Sequence, residues 1–133
     1  MVPMMVIDTS ALLAVALHEA EAERFLDAMN EAETRLISAA SVLEAGIVIE
    51  SRRGPAAGDA LDDLIASLGL EIEPVTAEQA GIARLAYRIY GKGHHPPGLN
   101  FGDCFAYALA KASGEPLLFK GEDFAQTDLT SCV

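Results

Sequence analysis

The chain has few cysteines: Cys104 and Cys132 are the two among its 133 residues. Cys104 lies in an apolar segment and Cys132 near the C-terminus, so they form neither a disulfide framework nor a cluster of metal-binding thiolates. We expect free thiols, as in a reducing compartment, and hence a cytoplasmic protein.

Long apolar runs are missing as well. No segment reaches the roughly 20 apolar residues that a membrane-spanning helix needs. The N-terminal segment has no basic region ahead of its apolar residues, and Asp8 interrupts those residues, which argues against a signal peptide. We therefore expect no membrane association.

Basic residues are also scarce. Nine Lys and Arg residues stand against twenty Asp and Glu residues, for a formal net charge of -11. This balance argues against a general nucleic-acid-binding surface, because such surfaces neutralise phosphates with Lys and Arg. It does not exclude a carboxylate site for divalent cations, since the bound ions would supply the positive field that phosphates require.

Hydrophobic residues make up 51% of the chain, enough for a buried core in one domain of residues 1–133. Segments typical of strands alternate with segments typical of helices. The predicted strands are 4–7, 35–38, 70–75 and 116–119, and the predicted helices are 10–33 with a break near His18, 39–53, 55–69, 76–90 and one from Asn100. This order predicts a mostly parallel central sheet with helices on both faces, a three-layer α/β/α sandwich.

The segment NFGDCFAYALA (100–110) places Asp103 at the start of an otherwise apolar helix. One explanation is local: Asn100 caps the helix, and Asp103 faces its free N–H groups and the positive end of its dipole. The other explanation requires further acids to converge on Asp103, because an ionised side chain is rarely buried without a partner.

Other acids follow the predicted strands, where parallel sheets bind their ligands. Asp8 ends the first strand, and Glu122 and Asp123 follow the last predicted one. Glu44 is the only charged residue between Arg35 and Glu50, on the helix side of Ala40, Ile47 and Val48, where we expect the core. Clustered carboxylates repel one another unless a hard cation such as Mg²⁺ or Mn²⁺ lies between them. These acids are therefore candidate ligands of a metal site, with unrelated caps and loop acids as the alternative.

Hydroxyl and basic residues near these acids have alternative roles. Thr9 and Ser10 are candidates to contact a metal or phosphate, or to cap the first helix. Basic residues concentrate around the loop GKGHHPPGL (91–99), which lacks zinc-type spacing and the ending of a P-loop. The basic residues are Arg84, Arg88, Lys92, His94 and His95. They would contact RNA phosphates at the rim of the site, or simply be solvated.

Four motifs, in this order, resemble those of the PIN-domain ribonucleases, and within them the VapC toxins of type II toxin–antitoxin systems. The motifs are VIDTSAL (6–12), SVLEAGIV (41–48), GKGHHPPGLNFGDCFAYALA (91–110) and LLFKGEDFAQTDL (117–129). The resemblance covers the full length. It implies a PIN-like fold and an endoribonuclease that depends on Mg²⁺ or Mn²⁺ and hydrolyses RNA with a metal-activated water.

The resemblance also assigns roles. It implies that Asp8 and Asp103 bind the main metal, that Glu44 orients the water or a second metal, and that an acid of the GED segment helps to hold that second ion. That acid is Asp123 or Glu122, and we favour Asp123 because Phe124 then completes the usual DF pair. The implied partners are an RNA substrate, a second copy of the chain and a VapB-type antitoxin.

Other classes remain as alternatives. A phospho-acceptor receiver domain shares an acid after its first strand and a late lysine, here Lys120, but needs a mid-chain strand where residues 55–69 predict a helix. A haloacid-dehalogenase-type phosphatase needs an Asp where Ser10 stands. A non-catalytic acidic module that binds a basic peptide would share the acids but not cleave RNA.

Overall fold

The computed structural model describes residues 3–93 and 98–133, which form four strands and six helices. In chain order these are β1 (Met4–Ile7), α1 (Thr9–Ala16), α2 (Ala22–Glu31), β2 (Thr34–Ser38), α3 (Ala39–Arg53), α4 (Pro55–Ser67), β3 (Leu70–Glu73), α5 (Ala77–Tyr90), α6 (Phe101–Ser113) and β4 (Leu117–Leu118). The predicted elements are confirmed, and β3 ends before Val75.

The strands form one sheet in the order β3-β2-β1-β4, and every neighbouring pair is parallel. Ile7 of β1 is level with Ile37 of β2 and with Leu118 of β4, so these strand ends lie at one edge. Leu117 also forms an isolated parallel bridge with Ser131 near the C-terminus.

Each face of the sheet has its own apolar core, because successive strand residues point to opposite faces. Met5 and Ile7 pack with α1 to α4, whereas Val6 packs against α5 and α6. The predicted α/β/α sandwich is confirmed. Within the described part of the chain, no helix combines the length and apolarity needed to cross a membrane.

The helix boundaries have local causes. His18 has a left-handed backbone (φ 54°) in the connection that separates α1 from α2, which confirms the predicted break. Thr76 caps α5 by accepting a hydrogen bond from the Gln79 N–H. Asp8 is the N-cap of α1, so the capping alternative for Thr9 or Ser10 is wrong.

Candidate active site

Asp8 lies at the carboxyl end of β1 and begins α1. Its side chain is only 3% exposed, and its Oδ2 accepts hydrogen bonds from the Ser10 backbone N–H (3.0 Å) and from the Ser10 hydroxyl (2.6 Å). Burial raises the pKa of this carboxyl from 3.8 to about 6, although the Ser10 hydrogen bonds oppose the rise, and the charge of Glu44 adds to it. Asp8 is therefore a carboxylate that the fold holds at a cost when no cation is near.

Asp103 fits both explanations given above, the capping of its helix and the approach of other acids. It forms a capping box with Asn100, in which the Asp103 carboxylate accepts from the Asn100 N–H and the Asn100 side chain accepts from the Asp103 N–H, each at 2.9 Å. Burial is the main cause that raises its pKa to about 7. The Asn100 hydrogen bond lowers that pKa, whereas the charges of Asp8, Asp123 and Glu44 raise it further. Asp103 caps its helix and also faces the other acids.

Glu44 is half-buried, but not for the reason that its position on α3 suggests. Leu43 and Ile47 on the same part of α3 are 64% and 60% exposed, so this side faces outward and the prediction that it faces the core is wrong. Glu44 is covered instead by α6: a Cβ added at Gly102 would overlap the Glu44 carboxylate. The absence of a side chain at Gly102 lets α6 bring Asp103 close to Glu44.

The two acids that follow β4, Glu122 and Asp123, have different surroundings. Gly121 has a left-handed backbone (φ 96°) that turns the chain before them. Asp123 is half-buried, and its charge acts on Asp103. Glu122 is exposed and lines a different cavity with Arg24 and Lys120. The geometry therefore favours Asp123 over Glu122 as the fourth acid.

The donor chemistry of Asp8, Glu44, Asp103 and Asp123 fits a hard divalent cation. The ion pairs among residues 3–93 and 98–133 involve Lys111 and Lys120 and leave these carboxylates without a cationic partner. In that part of the chain, however, no three His, Cys, Asp or Glu side chains are arranged to hold a metal ion together. Binding one ion through three of these acids therefore requires their side chains to reorient.

Three residues near these acids, Ser10, Thr9 and Gly102, make contacts that the sequence did not predict. Ser10 Oγ accepts a hydrogen bond from the Lys120 backbone N–H (2.9 Å) while it donates to Asp8, so it links the start of α1 to the segment after β4. Thr9 donates to the Ser41 carbonyl oxygen at 3.3 Å and joins α1 to α3. Gly102 is the third residue. A glycine next to an acid, as in FGD, is too common in sequences to predict the contact with Glu44.

The described basic residues near the site lie on the protein surface. Arg84 and Arg88 are both exposed on α5. Arg84 and Lys92 line a cavity of about 530 Å³ that reaches Asn100 and Phe101 at the start of α6. The prediction for His94 and His95 lies outside the described residues.

A family model described as the PIN domain matches residues 5–129. The chain belongs to the PIN domain family. Ribonuclease VapC30 of Mycobacterium tuberculosis is 54% identical over 127 residues, which are 96% of this chain and 97% of that protein. The chain is therefore a member of the VapC ribonucleases, and the predicted family is confirmed.

Solved VapC and VapBC structures have the same fold. VapC20 of Mycobacterium tuberculosis, a toxin that cleaves the sarcin-ricin loop, superimposes with a TM-score of 0.76 at 20% identity, over 95% of this chain and 96% of that one. VapBC2 from Rickettsia felis, bound to a DNA fragment from its promoter, gives 0.72 at 16% identity over 96% of both chains. The receiver alternative is wrong, because α4 occupies the mid-chain position where a strand would be needed.

Proposed function

We propose that residues 1–133 form a single PIN-like nuclease domain, an endoribonuclease that acts as the toxin of a type II toxin–antitoxin pair and depends on Mg²⁺ or Mn²⁺. The observation that carries this proposal is the placement of buried Asp8 at the end of β1 and of Glu44 against Gly102, next to Asp103, with no cationic partner for these acids among the described residues. The ribonuclease names of relatives that are 54% identical support the reaction.

In this proposal Asp8 and Asp103 hold the main ion, and Asp123 contributes to a second ion, with Glu122 as the less favoured alternative. When bound, the cation would lower the pKa of a water and stabilise the charge on the scissile phosphate. Glu44, on α3, would orient that water. Ser10 keeps the Asp8 carboxylate in one orientation through two hydrogen bonds to Oδ2. No covalent intermediate is proposed, because the attacking group in this proposal is a water and the Ser10 hydroxyl is held by hydrogen bonds to Asp8 and to the Lys120 N–H.

The RNA would approach along the start of α6. Arg84 and Lys92 supply positive charge to the cavity next to Asn100, in a chain of net charge -11. Such a small basic rim suits contact with a few phosphates. Arg88, one turn further along α5, is exposed and adds to it.

The proposed protein partners are an antitoxin and a second copy of the chain. An apolar cavity of about 380 Å³ between the first four helices, lined among others by Val15, Leu26 and Leu64, suits an apolar segment of an antitoxin. The net charge suits basic residues in that partner.

Exposed Leu43, Ile47 and Phe101 support an interface between two copies of the chain. Ile47→Asp should then lower the mass measured by light scattering from that of a dimer to that of a monomer.

The deciding experiment uses purified chain on structured RNA, with Mg²⁺, with Mn²⁺ and with EDTA. We expect cleavage only with metal, and we expect Glu44→Gln to abolish it because the substitution removes a charge and keeps the side-chain size. Asp62→Asn on the exposed face of α4 is the matched control and should cleave normally. Equal cleavage in EDTA, or by Glu44→Gln at saturating Mg²⁺, would contradict the proposed site. Binding of a basic peptide without any cleavage would favour the non-catalytic module.

A further inference from the structure

Lys120 is held through both its main chain and its side chain, just after β4. Its backbone N–H donates to the same Ser10 hydroxyl that donates to Asp8. Its ammonium lies 3.0 Å from Glu19 Oε1 and 3.5 Å from Glu21 Oε1, both in the connection between α1 and α2. Lys120 therefore joins that connection to the segment that leads to Asp123.

The ion pairs of Lys120 are partly shielded from solvent. The side chains of Lys120, Glu19 and Glu21 are 38%, 34% and 28% exposed. Salt screens such pairs less than fully exposed ones. Glu21 Oε1 is buried and accepts no hydrogen bond from the described residues, so the nearby charge of Lys120 compensates it.

The segment between Lys120 and Asp123 is short and is bounded by contacts on both sides. Gly121 turns it with a left-handed backbone, and on the far side Phe124 is 3% exposed and contacts Phe119 with ring centroids 5.2 Å apart. Asp123 thus lies between two anchors, the Lys120 ion pairs and the buried Phe124 ring. Loss of either anchor should let its carboxylate move relative to Asp8.

We propose that Lys120 is a positioning residue for the metal site: by pairing with Glu19 and Glu21 it holds the segment that carries Asp123 against Asp8. The inference rests on the proposed function, in which Asp123 contributes to cation binding. The pairing also directs the ammonium of Lys120 toward the α1–α2 connection, although it stands only three residues from Asp123. A lysine that instead faced the acids would compete with the cation, so the two roles predict opposite effects of removing it.

The test is the affinity of the full chain for Mn²⁺ without RNA, measured by the electron paramagnetic resonance signal of free Mn²⁺. Lys120→Met should weaken binding about three- to tenfold, less than the roughly 10- to 100-fold typical of partners that directly orient a metal ligand, because Lys120 acts through the backbone. Lys120→Arg keeps the charge and should restore affinity to within about twofold. Lys111→Met removes a lysine paired with Asp128 and should have no effect.

Two further measurements exclude a general structural effect. Glu19→Gln with Glu21→Gln should weaken Mn²⁺ binding like Lys120→Met, and the triple variant should be no weaker, because all three residues form one unit. The difference between wild type and Lys120→Met should shrink as KCl is raised, since salt screens the ion pairs. If Lys120→Met folds poorly, the Mn²⁺ affinities of the double glutamine variant and of Lys120→Arg are compared with that of wild type instead.

The outcomes separate this inference from the proposed function. Unchanged or tighter Mn²⁺ binding by Lys120→Met, with normal binding by wild type, would overturn the positioning role and leave the metal site intact. Wild type that binds no Mn²⁺ would instead overturn the proposed metal site. Weakened binding that Lys120→Arg fails to restore would also contradict the inference, because the charge would then not be the cause.

Discussion

Replacing Asp8 by Asn should stabilise the metal-free protein at pH 8. The pKa of Asp8 is raised from 3.8 to about 6 in the folded state, so its contribution to stability is fully present below pH 3.8 and is lost as the pH rises through 6. At about 1.4 kcal/mol per pKa unit, the loss at pH 8 is roughly 3 kcal/mol. Asn is neutral and its side-chain oxygen still accepts from the Ser10 N–H, so Asp8→Asn should recover up to that amount.

The assay is urea unfolding of wild type and Asp8→Asn in EDTA, at pH 8 and again near pH 4.5 at constant ionic strength. The stability difference should be large at pH 8 and small near pH 4.5, where the folded wild type carries the proton itself. Asp103, whose pKa is raised to about 7, should make wild type still less stable at pH 8. Adding Mg²⁺ at pH 8 should then stabilise wild type more than the variant, because a ligand stabilises the state that binds it.

A clear result would refute this reasoning. If Asp8→Asn were less stable than wild type in EDTA at pH 8, the Asp8 carboxylate would be favourably placed without metal, and its burial would not oppose its charge. If Mg²⁺ stabilised both proteins equally, Asp8 would not be a ligand.

Other expectations follow from the same contacts. Asp103→Asn in EDTA should unfold at the same temperature as wild type or higher, because it removes the repulsion and its side-chain oxygen still accepts from the Asn100 N–H; a lower midpoint would leave Asp103 as a cap alone. Gly102→Ala should reduce RNA cleavage, since the added Cβ would force the Glu44 carboxylate to move from its place beside Gly102, and unchanged cleavage would show that the flexible Glu44 side chain reorients without losing its role. Alanine at both Arg84 and Arg88 should weaken RNA binding and flatten its salt dependence without changing Mn²⁺ affinity. Apparent Mg²⁺ affinity should rise between pH 6 and pH 8 as the acids with raised pKa lose their protons, and a flat titration would exclude them as ligands.

The sequence by itself determined the elements and which acids lie at strand ends. The short apolar strands, the break at His18 and the N-caps at Thr76 and Asn100 are local features, because each depends on residues within one or two turns. Parallel pairing then follows from the alternation of strands and helices, and it places Asp8 at the binding edge of the sheet.

The surroundings of Glu44 were decided by tertiary structure. Helical spacing shows which residues share a side of α3, but not whether that side meets the sheet or solvent. Leu43 and Ile47 are exposed there, and Glu44 is partly covered where α6 approaches it at Gly102, 58 positions further along the chain. Apolar residues on a helix therefore do not by themselves show which side faces the core, because some of them are exposed on the protein surface.

The preference for Asp123 over Glu122 and the role of Lys120 likewise depend on contacts between distant segments. In the sequence only the DF pair of the resemblance favours Asp123 within GED, whereas in the structure Asp123 is half-buried and its charge acts on Asp103, and Glu122 is exposed. Lys120 reaches Glu19 across 101 residues, so no local pattern reports their pairing. Local propensity fixes where each element begins and ends, whereas the packing of whole helices decides which side chains face one another, because that packing depends on the summed fit of surfaces from the entire chain.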